Sequence, residues 1–133
     1  MTGVGSNKHA TLFSEADLFG TIIFANEAFC KVSGYNLGEL IGKPHSIIRH
    51  ADMPKKLFES LWTTIKKGEV FRGVIKNLAK DSSSYWVNTT IMPIFDDNKG
   101  VYKYIGVYHL IEDIKLAQEL YVQQANKQFL NLK

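Results

Sequence analysis

Residues 21–44 read TIIFANEAFCKVSGYNLGELIGKP, and they decide the fold prediction. The β-branched residues within 20–25 predict a short strand. Asn26 then has the side chain of a helix N-cap, apolar residues follow it at near-helical spacing, and Gly34 marks the end of the helix. A strand that runs directly into a short capped helix is therefore the first feature of the predicted fold.

The residues before this stretch predict a partner for its strand. Residues 10–16 form a second strand-like run, and the turn Asp17–Gly20 separates the two runs. Gly is the residue that most readily takes up the backbone conformations of such turns. A β-hairpin is therefore expected to open the domain.

The residues that follow predict short helical turns and then one longer helix. Residues 37–53 include two glycines, a proline and two histidines, which disfavours a long helix there. Pro54 suits a first helical turn, and the amphipathic spacing after it continues to Lys66–Gly68. The apolar residues of this helix are Leu57, Phe58, Leu61, Trp62 and Ile65.

The rest of the chain predicts three strands and a last helix. The strand-like runs are 70–79, 84–95 and 101–111, and the turns between them are rich in Asp, Asn, Ser and Gly. Residues 112–130 lack Gly and Pro and carry a modest helical stripe. The predicted fold is an α+β domain, with an antiparallel sheet of about five strands, short helices on one face and a C-terminal exit helix.

The chain has 133 residues, which fits one compact domain. We expect an N-terminal tail at 1–9, the domain itself at 10–113, and a signalling or linker helix at 114–133. Such a domain buries enough surface to fold without a disulfide or a structural metal.

Composition also narrows the class of partner and compartment. Cys30 is the single cysteine, so no intramolecular disulfide forms, and a reducing cytoplasm is the expected compartment. The net charge is +3 with the lysines scattered along the chain, which argues against nucleic acid as the partner. No apolar run approaches the roughly 18 residues of a membrane span, so direct membrane insertion is not expected.

The element order and its motifs resemble a PAS domain. The resemblance covers about residues 10–114, and its general motifs are Ala25–Phe29, Val32–Tyr35 and Glu39–Pro44. Three further stretches resemble the FAD-binding PAS sensors of bacterial aerotaxis receptors: PHSIIRHADMP at 44–54, FRGVIKN at 71–77 and YWV at 85–87.

This resemblance implies a sensory module that binds FAD non-covalently and senses redox state or oxygen. The cofactor-binding residues that it implies are Asn26, Arg49, His50, Asp52, Phe71, Asn77 and Trp86. The sequence departs from the pattern at Phe71, where the relatives have a tryptophan, and at Ala51, where they have a proline. Phenylalanine can pack on a flavin ring but lacks the indole N–H donor.

Several of these residues have a second interpretation. Asn26 also fits a purely structural cap, and Arg49 is also placed to pair with Asp52 at the surface. Asn77 and Asn88 lie in apolar strands, where an inward amide needs a partner. By alternation, Asn77 shares one face of its strand with Phe71, Gly73 and Ile75. Trp62 is interpreted as a core residue.

Two other functions remain as alternatives. The first is a cofactor-free PAS module for interaction or dimerisation, which Phe71 favours. The second is haem-based gas sensing through His45, His50 or His109. Cys30 is far in sequence from the segment in which light-sensing relatives carry their reactive cysteine, so photochemistry is not expected, and the absence of any catalytic pattern predicts that the domain is not an enzyme. The expected partners are a second copy of the chain and an effector such as a chemoreceptor, histidine kinase or cyclase.

Overall fold

The computed structural model describes residues 10–127, and within them five strands form one antiparallel sheet. The strands are β1 (Leu12–Ala16), β2 (Ile22–Ala25), β3 (Phe71–Leu78), β4 (Ser84–Phe95) and β5 (Val101–Ile111), in the spatial order β2-β1-β5-β4-β3. The helices are α1 (Glu27–Ser33), α2 (Leu37–Leu40), a 3-10 turn (His45–Ile48), α3 (Lys55–Lys66) and α4 (Ile114–Ala125). The predicted α+β fold with a five-stranded antiparallel sheet is confirmed.

Polar side chains determine where the first elements begin and end. The Asp17 carboxylate accepts hydrogen bonds from the backbone N–H groups of Phe19 and Thr21, so the first hairpin is shorter than predicted. Asn26 caps α1 by accepting from the Phe29 N–H at 3.0 Å. Gly34 ends the same helix with a φ of 83°, a conformation that favours glycine.

A polar side chain also caps the start of the last helix. The Asp113 side chain accepts a hydrogen bond from the Leu116 N–H at 3.0 Å, and α4 starts at the next residue, Ile114. The predicted tail at 1–9 and the predicted helical residues after 127 lie outside the described residues.

The core lies between one face of the sheet, here called the inner face, and helices α1 to α3. Leu57, Leu61 and Ile65 point into it from α3, at the spacing predicted for an amphipathic helix. On β4, Val87 is fully buried on the inner face, and its neighbour Trp86 points to the opposite, outer face. The core therefore uses alternate residues of each strand.

Helix α4 covers part of the outer face and the free edge of the sheet. The rings of Tyr121 and Trp86 are 5.7 Å apart. The Gln124 amide accepts from the Val74 N–H at 2.6 Å and donates to the Val74 carbonyl at 3.0 Å. Since β3 is an edge strand, this amide satisfies backbone groups that no further strand pairs with.

A helix that spans a membrane must be both long and apolar. Within residues 10–127, no helix is long and apolar enough to span a membrane.

Candidate functional site

A cavity of about 270 Å³ lies between the inner face of the sheet and the segment from the 3-10 turn to α3. Its wall is mostly apolar, with a few polar side chains from the sheet and the 3-10 turn. The residues that line it are Ser14, Ala16, Phe19, Gly20, Pro44, His45, Ser46, Ile48, Arg49, Phe58, Leu61, Trp62, Ile65, Ile75, Asn77, Thr89, Ile91, Tyr104, Gly106 and Tyr108. Apolar walls with a few placed polar groups are typical of sites for small organic ligands.

Aromatic side chains line the cavity from both α3 and the sheet. Trp62 of α3 contacts Tyr104 of β5 edge to face, with ring centroids 5.7 Å apart. A Cβ atom at Gly20 would lie 2.8 Å from the Trp62 ring, so a side chain there would displace the indole. Trp62 was expected in the core. It is half-buried, packs against the core and also lines the cavity with Phe58, four residues earlier on the same helix face.

Arg49 follows the 3-10 turn and lies at the exposed side of the cavity. Its guanidinium carbon is 3.8 Å from the centroid of the Phe58 ring. The surface pair with Asp52 is not formed among the described residues, and that carboxylate instead binds Lys76 at 2.9 Å. Among the described residues no carboxylate forms an ion pair with Arg49, so its N–H donors are available to a ligand.

Asn77 lies on the inner face of β3, is 6% exposed and lines the cavity. Its backbone forms an isolated β-bridge with Arg49, which holds the two residues close together. Tyr85 is directly opposite Asn77 on β4, and its hydroxyl is buried without a hydrogen-bond partner in the described residues. Burial raises the pKa of Tyr85 well above its ordinary value, and the nearby Asn77 amide opposes that rise. The inner face therefore carries polar groups beside the cavity.

A second polar cluster joins the 3-10 turn to two strands. The Nε2 atom of His45 is 3.0 Å from the Ser14 Oγ and 3.0 Å from the Tyr108 hydroxyl, and these two oxygens are 2.8 Å apart. Burial lowers the pKa of His45 to about 4 and raises that of Tyr108 above its ordinary value. The neutral ring of His45 thus fastens the cavity wall to β1 and β5.

Gly106 is required for this cluster, and we expect Gly106→Ala to lower the free energy of unfolding by about 1–3 kcal/mol. A Cβ atom there would overlap the Tyr108 hydroxyl and lie 2.7 Å from its Cζ. The ring cannot move away without losing its bonds to Ser14 and His45. Urea denaturation followed by circular dichroism measures the change.

Gly38→Ala is the matched control, because its Cβ would meet nothing closer than 3.5 Å. The control should be as stable as the wild type or slightly more stable, since alanine favours a helix. Equal stability of the Gly106→Ala protein and the wild type would contradict the proposed role of the cluster.

Two of the seven predicted ligand residues, Arg49 and Asn77, line the cavity. Asn26 does not, because its amide is used inside the fold: the Oδ1 accepts from Phe13 and Phe29, and the Nδ2 donates to the Thr11 carbonyl. The cap interpretation describes the bond from Phe29, and the other two bonds join the start of α1 to the segment of β1.

His50, Asp52 and Phe71 also lie outside the cavity wall. The His50 Nδ1 accepts a hydrogen bond from the Asp52 N–H, and the Asp52 carboxylate binds Lys76. This ion pair lowers the pKa of Asp52. Phe71 is buried at the start of β3, where its ring lies beside Gly73.

Trp86 lies on the outer face of the sheet, opposite the cavity. Its ring packs against Tyr121, and its direct neighbour across the strands is Lys76. The prediction that Trp86 contacts a ligand in this cavity does not fit that placement. His109 and Asn88 are paired on the same outer face and are exposed, so neither reaches the cavity.

Several cavity residues were not proposed from the sequence. Thr89, Tyr104 and Tyr108 point inward from β4 and β5, and Ser14 does so from β1. Alternation from the buried Val87 would have placed Thr89 on the inner face. Nothing in the local sequence distinguishes the two tyrosines from ordinary core aromatics.

A family model described as PAS fold matches residues 22–108. The Aerotaxis receptor of Escherichia coli strain K12 is 42% identical over 112 residues, which are 84% of this chain and 22% of that protein. The Nitrogen fixation regulatory protein of Klebsiella pneumoniae is 27% identical over 94 residues, 71% of this chain and 19% of that protein. The chain therefore spans about a fifth of the length of these relatives.

Solved structures with the same fold include light-oxygen-voltage (LOV) domains. One, from a study of a flavin analogue in the mechanism of these domains, has a TM-score of 0.79 at 22% identity, over 94% of this chain and 93% of that one. The light state of the Aureochrome1 LOV photoreceptor has a TM-score of 0.78 at 19% identity, over 85% and 90% of the two chains. At these identities the likeness concerns the fold.

Proposed function

Because the chain belongs to the PAS family, we propose that it is a sensory domain that binds a flavin non-covalently between its sheet and α3. The relatedness to an aerotaxis receptor and the LOV domains among its structural neighbours support this proposal. FAD is the flavin that the resemblance to aerotaxis sensors implies, and the proposed signal is redox state or oxygen.

The observation that carries the proposal is the joint position of Arg49 and Asn77 on one aromatic cavity. A flavin needs an apolar slot for its ring, a polar group for its pyrimidine edge and a cation for its phosphate. Trp62, Tyr104 and Phe58 supply the slot. Asn77 supplies the amide inside, and Arg49 supplies the cation at the exposed side.

The size of the cavity agrees with a ring inside it and a chain that leaves it. Its volume of about 270 Å³ is just below the roughly 300–1,000 Å³ of typical ligand pockets. We propose that the ring is enclosed, and that the phosphate-bearing chain leaves on the side of Arg49. Arginine presents several N–H groups in one plane, which suits a phosphate.

The unpaired polar atoms of the inner face also fit a polar ring. Thr89 Oγ1 and the Tyr85 hydroxyl are buried without hydrogen bonds in the described residues. Buried polar groups in folded proteins are almost always paired with protein, water or ligand. Of these two residues Thr89 lines the cavity, so a ligand that carries ring nitrogens and oxygens would provide a partner for its hydroxyl.

When bound, a flavin supplies redox chemistry, and its reduction adds a proton to the ring. The Asn77 amide has both a donor and an acceptor, so it can rotate to present either one. Asn77 is on β3, whose edge is bonded to Gln124 of α4, so a shift in the strand reaches the exit helix.

The free energy of one hydrogen bond limits how completely flavin reduction can switch the output of the domain. Moving a two-state output from 1:99 to 99:1 needs about 5.5 kcal/mol, whereas one neutral hydrogen bond contributes about 1 kcal/mol. We therefore propose a partial population shift, or several coupled contacts, instead of a complete switch.

We propose that the output goes to a signalling partner or effector domain of the chemoreceptor, histidine kinase or cyclase class. In this proposal residues 10–113 are the sensor and residues 114–133 transmit the signal. The domain works in the cytoplasm as a homodimer, and it has no enzymatic activity of its own. The relatives, of which this chain matches about a fifth, are consistent with a module inside larger regulators.

The visible absorption spectrum of freshly purified protein tests the proposal, together with mass spectrometry of the supernatant after denaturation. We expect a yellow protein that releases a flavin, and the released mass distinguishes FAD from FMN. A colourless protein that also fails to bind added FMN or FAD would contradict the proposal and favour a cofactor-free module. A Soret band would favour haem.

A further inference from the structure

Thr89 has a buried hydroxyl group on the sheet side of the cavity. The residue is 0% exposed, and its Oγ1 has no hydrogen-bond partner in the described residues. Thr89 and Ile91 are the two β4 residues that line the cavity, which places them on the same face of the strand. Thr89 thus lines the cavity and carries a buried hydroxyl for which the described residues provide no hydrogen-bond partner.

The neighbouring strands do not supply the missing partner. Gly73 on β3 is directly opposite Thr89 and has no side chain. Tyr108 is opposite on β5, but its hydroxyl is already bonded to Ser14 and His45. An unpaired buried hydroxyl destabilises a fold, so a valine of nearly the same shape would be favoured if folding alone mattered.

We infer that Thr89 is a ligand-contacting residue, and that its hydroxyl hydrogen-bonds a ring nitrogen or oxygen of the proposed flavin. This inference rests on the proposed function and names a contact that selects the ligand. A hydrocarbon ring of similar size would leave the hydroxyl unpaired, whereas a heterocycle with a polar atom over the middle of the sheet would satisfy it. Thr89 therefore favours polar heterocycles over equally flat apolar ligands.

The test compares Thr89→Val with the wild type in two measurements. The first is the melting temperature of the flavin-free protein, and the second is the dissociation constant for riboflavin, FMN and FAD from fluorescence titration. Riboflavin carries the ring without a phosphate, so its binding reports on the cavity and not on Arg49. Thr89→Ser keeps the hydroxyl. Thr90→Val is the matched control, because it makes the same substitution at the next residue of β4, which points to the outer face.

We expect opposite signs for stability and binding in Thr89→Val. Loss of the unpaired hydroxyl should raise the melting temperature of the flavin-free protein by about 2–6 °C. Loss of the contact should weaken the binding of all three flavins about 3- to 10-fold. Thr89→Ser should bind within about 2-fold of the wild type, and Thr90→Val should leave the affinity unchanged. A purely structural role would not move stability and affinity in opposite directions.

Each contrary result has a separate meaning. Flavin binding by Thr89→Val that equals the wild type overturns the inference and leaves the proposed function standing. A Thr89→Val protein that is less stable than the wild type, or unfolded, also overturns it, because the hydroxyl then has a partner in the fold. If the wild type binds none of the three flavins, the proposed function fails and the inference fails with it.

Discussion

Replacing Arg49 with alanine is expected to weaken FMN and FAD binding about 10- to 100-fold, with little change in the free energy of unfolding. Charge-assisted hydrogen bonds to a phosphate contribute about 1.5–3 kcal/mol, which corresponds to that range of affinity. The protein itself loses only the contact of an exposed guanidinium with the Phe58 ring, worth about 0.5–1 kcal/mol. Fluorescence titration and urea denaturation measure the two effects.

The second arginine of the chain provides the control. Arg72 is exposed on the outer side of β3 and does not line the cavity, so Arg72→Ala removes the same charge on the opposite face of the sheet. It should leave flavin affinity within about 2-fold of the wild type, since exposed charges interact weakly through water. Riboflavin, which lacks the phosphate, should bind Arg49→Ala and wild type equally well. An equal loss of riboflavin affinity would show that Arg49 holds the ring and not the phosphate.

Acidification is expected to lower the free energy of unfolding by roughly 2 kcal/mol between pH 7 and pH 5 through His45. In the folded protein its pKa is about 4, whereas an unfolded histidine has a pKa near 6.5. Between these values the unfolded chain binds more protons, so stability is fully present above pH 6.5 and decreases as the pH falls toward 4. Urea denaturation at half-unit pH steps measures the slope.

His45→Gln tests the assignment, because glutamine keeps hydrogen-bonding groups near Ser14 and Tyr108 but does not titrate. The variant should show a much flatter stability profile between pH 7 and pH 5. Carboxylates held by lysines, such as Asp52, contribute in a lower window, since their lowered pKa matters only below the ordinary value of 3.8. An unchanged slope in the variant would assign the pH dependence to other groups.

The sequence was most informative where strand alternation and family motifs agreed. Alternation placed Asn77 with Ile75 on one face of β3, and both line the cavity. The Arg-His motif before Pro54 predicted Arg49 as a ligand residue. The motif alone could not distinguish Arg49 from His50, whose ring accepts a hydrogen bond from the Asp52 backbone and does not line the cavity. Hydrogen-bonded turns of this kind depend on backbone geometry that residue types do not specify.

Trp86 shows where the motif and the strand geometry point to different faces of the sheet. The motif implied a ligand contact, but Trp86 and Thr89 are three residues apart and must point to opposite faces of β4. Which of the two points inward depends on the register between β3 and β4, where Asn77 pairs with Tyr85. The loop between these strands is longer than a two-residue hairpin turn, so its length did not fix that register.

The His45 cluster could not be predicted at all from local patterns. Its members are separated by 31 residues between Ser14 and His45 and by 63 residues between His45 and Tyr108. Each residue has an ordinary local environment, and only the tertiary fold brings the three together. The sequence left His45 as a candidate haem ligand, whereas in the structure its Nε2 is hydrogen-bonded to two hydroxyl groups.

The amide of Gln124 on the backbone of Val74 has a consequence for aggregation. An open edge strand is a template on which another chain can add a strand, and proteins that leave such an edge bare tend to assemble into larger species. Helix α4 blocks β3 in this respect. A domain shortened at Asp113 would lose this cover, and its self-association would reflect intermolecular strand addition instead of the pairing of intact domains.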